Sequence, residues 1–207
     1  MTASLTVSYR QKRAQKTRAE ILKCAVDIAS AEGLEGVSIG RLATELSMSK
    51  TGVFAHFGSK EELQLATIKA AGVIFTEQVI NPALKSPRGI ALLSAFLQSW
   101  LSYVERIVFR GGCFFAAAAA EFDSRPGPVR DKIAQLSKAW VVILERAVKE
   151  AQELNQLSKQ VDPRQLVFEL HAFVQEANWA FNLFDDKSAF ARARLAINSH
   201  IAALQTC

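Results

Sequence analysis

The sequence predicts an all-α protein of nine helices, and three observations carry that prediction. Apolar residues recur at spacings of three and four along most of the chain. Helix-starting serines, helix-ending glycines and prolines punctuate those stretches. No stretch alternates polar and apolar residues as a half-buried strand does. Five prolines and ten glycines in 207 residues are too few for a turn-rich β-sandwich, and a chain that is 50% hydrophobic has the means to bury a sizeable core.

Taken in order, Ile21, Leu22, Ala25, Ile28 and Ala29 mark an amphipathic first helix from about Lys16 to Glu32, ended by Gly33. Ile39, Leu42, Ala43 and Leu46 mark a short second helix, with Ser38 as N-cap and Val37 placed to staple onto Leu42. Ser49 caps a third, with Met48 stapling onto Val53. It runs to about Phe57 and is closed by Gly58. Ser59 with Glu62 forms a capping box opening a fourth helix to about Ile80, before Pro82. Further helices follow at about 87–108, 113–123, 128–156, 163–184 and 187–205. They are separated by Asn81-Pro82, Arg110-Gly111-Gly112, Arg125-Pro126-Gly127-Pro128, Asp162-Pro163 and Asp185-Asp186. The alanines at 116–120 are strong helix formers that permit close packing.

Composition removes several function classes. The longest apolar run, Cys113 to Ala120, is too short for a membrane span, and nothing apolar near Met1 resembles a signal peptide, so a soluble, cytoplasmic protein is expected. Three widely spaced cysteines without a CxxC, and three histidines without metal-ligand spacing, predict neither a disulfide framework nor a metal or other cofactor. The net charge of +5 is local. Arg10, Lys12, Arg13, Lys16 and Arg18 precede any acid, whereas the remainder is balanced, so a basic N-terminal arm sits on a neutral body. Such an arm suits a polyanion, and equally a solvated terminus.

Two short helices joined by Ser47-Met48-Ser49 have the dimensions of a helix-turn-helix, whose second helix enters the DNA major groove. In the third helix Val53 and Phe57 face the core. Lys50, Thr51 and His56 are left for the groove, and Gly52 allows close approach. Ser38, Ser49 and Ser59 offer three helix N-termini to phosphates, and Lys60 adds a charge. The same caps and apolar positions also suit any three-helix core.

The stretch Thr17-Arg18…Ile21-Leu22…Ala25…Gly33…Val37-Ser38-Ile39…Leu42-Ala43…Met48 and the block Ser49 through Leu63 resemble the DNA-binding domain of TetR-family repressors over about the first 65 residues. Two positions depart from the family pattern. Phe54 stands where the family usually has tyrosine, which removes a phenolic phosphate contact, and Ser47 stands where the turn usually has glycine. The resemblance implies a nine-helix homodimer with a DNA-binding domain at 1–62 and an effector-binding and dimerisation domain at 63–207. Helices 8 and 9 would pair between subunits, and Ser38, Ser49, Lys50, Thr51, Gly52, Phe54, His56 and Lys60 would contact a near-palindromic DNA operator.

The family commonly holds a small apolar or aromatic effector among helices 4–8. Here Trp100, Tyr103, Cys113, Phe114, Glu121, Trp140, His171, Gln175 and Asn178 are the candidates, apolar walls with a few orienting polar groups. Each of them also suits a plain helical core. The eighth helix is apolar on nearly every face from Val167 to Phe184, and Phe190, Ile197, Ile201 and Leu204 stripe the ninth, as a subunit interface requires. Cys113, at a helix start near Arg110, raises a thiol-based sensor as an alternative. A thiol enzyme lacks a GxSxG or paired His/Asp constellation, and a nonspecific architectural DNA binder would carry its charge across a face. The expected function is therefore a non-enzymatic dimeric repressor released by an effector, with an activator compatible with the same residues.

Overall fold

A computed structural model describes residues 9–206. Among them nine helices form and no strand does: α1 (Tyr9–Glu32), α2 (Ile39–Glu45), α3 (Lys50–Phe57), α4 (Lys60–Phe75), α5 (Ile90–Glu105), α6 (Phe114–Phe122), α7 (Pro128–Glu153), α8 (Pro163–Phe184) and α9 (Ala189–Ala203). None of them is long and apolar enough to cross a membrane.

The helix starts follow from local chemistry. Ser38, Ser49 and Ser59 accept, through their hydroxyls, the amides of Arg41 (3.1 Å), Gly52 (3.0 Å) and Glu62 (3.0 Å), satisfying donors that the first turn leaves orphaned. Asp162 does the same for Arg164 at 3.0 Å ahead of Pro163, whose missing N–H costs nothing at a helix start.

Two boundaries differ from expectation. α1 begins at Tyr9 rather than Lys16, so Arg10, Lys12, Arg13, Lys16 and Arg18 form its opening turns instead of an arm; residues 1–8 lie outside the described residues. Arg, Lys, Gln and Ala are good helix formers that need no apolar stripe to extend a helix. Pro82, in turn, does not stop α4. The chain continues as a π turn, Thr76–Ile80, and a helical turn, Asn81–Ala83, where Pro82 occupies a first-turn position.

α1 packs along α4 and also on α6, the helix that joins the N-terminal layer to the rest. Both ends of α6 are gripped. Before it, Arg110 pairs with Asp27 at 2.7 Å and the Gly111 amide donates to Ser30 at 3.2 Å. The backbones approach so closely there that a Cβ on Gly111 would lie 1.6 Å from the Ser30 carbonyl oxygen. Near its end, Glu121 accepts the amides of Leu34 (2.6 Å) and Glu35 (2.9 Å), beyond the C-terminus of α1. Farther on, α8 and α9 form a hairpin about the turn 185–188, braced by His200 against Glu169 at 2.6 Å.

Candidate nucleic-acid interface and internal cavity

α2 and α3 are joined by a tight turn in which Ser47 takes φ +53°, the left-handed conformation that glycine adopts without steric cost. The turn therefore has a glycine-like backbone in spite of its serine. Leu42, Ala43, Val53 and Phe57 are buried, and the Arg18 guanidinium lies 4.5 Å from the Phe57 ring centroid, tying α1 to α3. What α3 leaves outside is Lys50, Thr51, Phe54 and Ala55, with Gly52 and His56 half-buried. Phe54 is 51% exposed on this face. A side chain on Gly52 would crowd the Ser49 cap, its Cβ 3.0 Å from the hydroxyl, so the glycine serves the cap as well as the open surface.

Lys60 is less free than the sequence suggests. Its ammonium pairs with Glu35, and that pairing, with Gln64 and Arg125 nearby, holds the Glu35 carboxyl below its ordinary range. Arg41 is likewise engaged, by Glu32 at 3.0 Å and Glu45 at 2.6 Å.

The second feature is a cavity of about 750 Å³ among α4 with its π turn, α5, α6, α7 and α8. Its size falls in the range of small-molecule sites. Phe75, Trp100, Phe115 and Trp140 are among the lining side chains, with the small residues Gly72, Ala116 and Ala119 beside them; a Cβ on Gly72 would lie 3.3 Å from Leu136. The Phe75 ring stands near-perpendicular to Trp140 (5.1 Å between centroids), Phe115 (5.9 Å) and Trp100 (6.3 Å). His171 lies 4.9 Å from Trp100, and burial pushes its pKa down, keeping the imidazole uncharged at neutral pH. The buried atoms Trp140 Nε1 and Gln175 Oε1 have no hydrogen-bond partner among the described residues, and the Trp100 side chain meets the Cys113 thiol.

A third feature is surface rather than cavity. Phe168 (70% exposed), Trp179, Leu183 and Phe184 on α8 and Leu195 (69%) on α9 face outward from the hairpin.

The family model for bacterial regulatory proteins of the tetR family matches residues 21–67, and the model for the tetracyclin repressor-like C-terminal domain matches residues 89–197. The chain belongs to the TetR family. A TetR transcriptional regulator from Chloroflexus aurantiacus J-10-FL is similar in structure, with a TM-score of 0.87 at 22% identity over 94% of this chain and 98% of its own. AibR, solved in complex with isovaleryl coenzyme A and operator DNA, gives a TM-score of 0.69 at 24% identity over 90% of this chain and 97% of its own. The HTH-type transcriptional regulator TcmR of Streptomyces glaucescens is 29% identical over 79 residues, or 38% of this chain. That match spans only 35% of the curated relative's length.

On this TetR-family scaffold, five of the nine effector candidates line the cavity: Trp100, Cys113, Trp140, His171 and Gln175. Four do not. Tyr103 is buried against Phe75 and Phe109, and Phe114 is buried with its ring against Phe115. Glu121 is occupied by the Leu34 and Glu35 amides, and Asn178 accepts the Cys113 amide at 2.9 Å. Phe75, Phe115, Gly72, Thr76 and Leu136 line the cavity without having been singled out. Cys113 is no activated thiol: burial pushes its pKa up, and Arg110, the cation expected to lower it, pairs with Asp27 instead.

Proposed function

We propose that this TetR-family chain is a dimeric repressor that binds a near-palindromic operator and is released by a small molecule in the cavity. The observation that carries this reading is the capped helix-turn-helix whose second helix turns Lys50, Thr51 and Phe54 outward. Residues 1–62 form the DNA-binding domain and 63–207 the effector and dimerisation domain. Lys50, Thr51, Gly52, Phe54 and His56 address the groove, and Ser38, Ser49 and Lys60 the flanking phosphates, with Lys60 exchanging Glu35 for phosphate on binding. The protein acts in the cytoplasm and has no catalytic role.

Two such heads must sit about 34–36 Å apart to meet successive half-sites. The outward apolar residues of α8 and α9 supply the surface that pairs the subunits. For release, the supporting geometry is that of α6. Phe115, Ala116 and Ala119 line the cavity, while Glu121 on the same helix holds the chain just after α1. α4 joins the two regions as well, from Lys60 beside α3 to Gly72 and Phe75 at the cavity. An effector that binds the released arrangement more tightly than the DNA-bound one shifts the equilibrium by that difference. AibR, with both an acyl coenzyme A and operator DNA in one structure, supports a ligand and an operator on one such scaffold.

The test is footprinting of the purified protein on DNA upstream of its own coding sequence, beside a scrambled control, at low and near-physiological salt. Protection of two half-sites one helical turn apart at the higher salt is expected. Equal binding to both DNAs that vanishes with salt contradicts operator recognition.

A further inference from the structure

We infer that Glu35 is a positioning residue for DNA binding, shared between two cations, and that its transfer from Lys60 to Arg125 makes Lys60 available to a DNA phosphate. This rests on the proposed phosphate contact of Lys60 and names what regulates it. Glu35 lies between α1 and α2, Lys60 opens α4, and Arg125 follows α6, so the three charges come from separate elements. In this structure the Glu35 carboxylate pairs with Lys60 through Oε1, while Arg125 Nη1 stands 3.9 Å from Oε2.

An exposed ion pair is ordinarily worth little, because two mobile side chains must be held in one geometry. Glu35 is already held on its own side. Its amide donates to Glu121 Oε1 at 2.9 Å, and the buried Gln64 side chain donates to Glu35 Oε2 and to the Leu34 carbonyl, both at 3.3 Å. The carboxylate is thus a fixed negative charge within reach of two cations. While it pairs with Glu35, the Lys60 ammonium has little charge to offer a phosphate, and Glu35 left bare would repel the phosphate that replaces it. Arg125 removes that penalty by taking the carboxylate over.

The place of Arg125 is set from the cavity side. Its guanidinium lies 5.3 Å from the ring centroid of Phe122, the last residue of α6, and Phe115, Ala116 and Ala119 of that helix line the cavity. A shift of α6 therefore changes which cation holds Glu35. With Arg125 close, Lys60 is freed for DNA; with Arg125 withdrawn, Glu35 keeps Lys60 and DNA affinity falls. Two alternative pairings of one carboxylate supply the two-state element that coupling between distant sites requires.

Gel-shift titration of the full chain tests this on two duplexes, the DNA upstream of its coding sequence and a scrambled control, because a phosphate contact acts on both. Glu35→Gln, which keeps the amide held by Glu121, should tighten binding to both duplexes by about threefold. Arg125→Gln should weaken both by about threefold, and that loss should vanish in the double variant Glu35→Gln/Arg125→Gln, since Arg125 acts only through Glu35. Lys60→Gln should weaken binding, flatten the salt slope by about 0.9 per chain and erase the gain from Glu35→Gln. A purely structural ion pair predicts no tightening at all. Glu35→Gln that binds no more tightly, an equal gain in the Lys60→Gln background, or an Arg125→Gln loss that persists without Glu35 overturns the inference. Lys60→Gln with unchanged affinity and salt slope overturns the phosphate contact of Lys60 and the inference with it. The full pattern on both duplexes, with no preference for the upstream DNA, supports the inference and sinks operator recognition alone.

Discussion

The DNA-facing end and the cavity treat polar atoms in opposite ways. Around α2 and α3, the hydroxyls of Ser38, Ser49 and Ser59 each accept an amide three residues on, and Arg41 and Lys60 have carboxylates beside them. Among the residues that line the cavity, Trp140 Nε1 and Gln175 Oε1 are buried with no hydrogen-bond partner among the described residues. The first region pairs its caps and most of its charges, Arg18 Nη1 over the Phe57 ring being buried without a hydrogen-bond partner among the described residues. The second leaves buried polar atoms unpaired next to an open volume of small-molecule size. Between the two regions lies α6 with its grip on α1.

The largest predicted effect comes from breaking that joint. Gly111→Ala drives a methyl group into the Ser30 carbonyl, and the backbones have no flexible atom with which to yield. A loss of about 3 kcal/mol or more is expected, a fall of about 6–12 °C in melting temperature for a chain of this size. Next is Glu121→Ala, which strips the acceptor from the Leu34 and Glu35 amides and should cost about 2 kcal/mol, or about 4–8 °C. If the joint couples the two regions, this variant should also blunt ligand-driven release in a gel-shift titration while ligand still binds. Unchanged release would make the two regions independent of this contact.

Smaller changes sharpen the picture of the DNA-facing end. Ser47→Gly relieves a left-handed serine at the price of a looser unfolded chain, and a net gain of about 0.5 kcal/mol by denaturant melt is expected. The smallest effect is one of pH. Arg88, then Arg146, hold the Glu150 carboxyl below its ordinary range. The stability this adds is present above the unfolded carboxyl value of about 4.3 and is lost as pH falls through the lower folded value. Melting curves of wild type and Arg88→Ala should therefore differ at neutral pH and converge in acid.

Local features of this fold were legible in the sequence, and remote ones were not. The caps at Ser38, Ser49 and Ser59 act on amides three residues away, and α8 is bounded by Asp162-Pro163 and Asp185, so those boundaries could be read directly. The start of α1 escaped because its opening turns carry charge and no apolar period. Pro82 misled because a π turn ahead of it makes a proline-tolerant start within a continuing helix. Glu121 and Asn178 were taken as cavity groups because the Leu34 and Glu35 amides lie 87 and 86 residues from Glu121 and the Cys113 amide 65 residues from Asn178, pairings that no spacing encodes. The small lining residues Gly72, Ala116 and Ala119 come from two helices far apart in the chain, a juxtaposition that leaves no signal along it.

The central claim is that the outward face of α8 and α9 holds two reading heads in register. Sedimentation equilibrium of wild type and of the double variant Phe168→Glu/Leu195→Glu, with footprinting of both, tests it most directly. Wild type should have twice the chain mass and protect two half-sites. The double variant should have the mass of one chain, keep its helical circular dichroism and lose the paired footprint. A wild type that is already a single chain, or a variant that still protects both half-sites, would contradict the account.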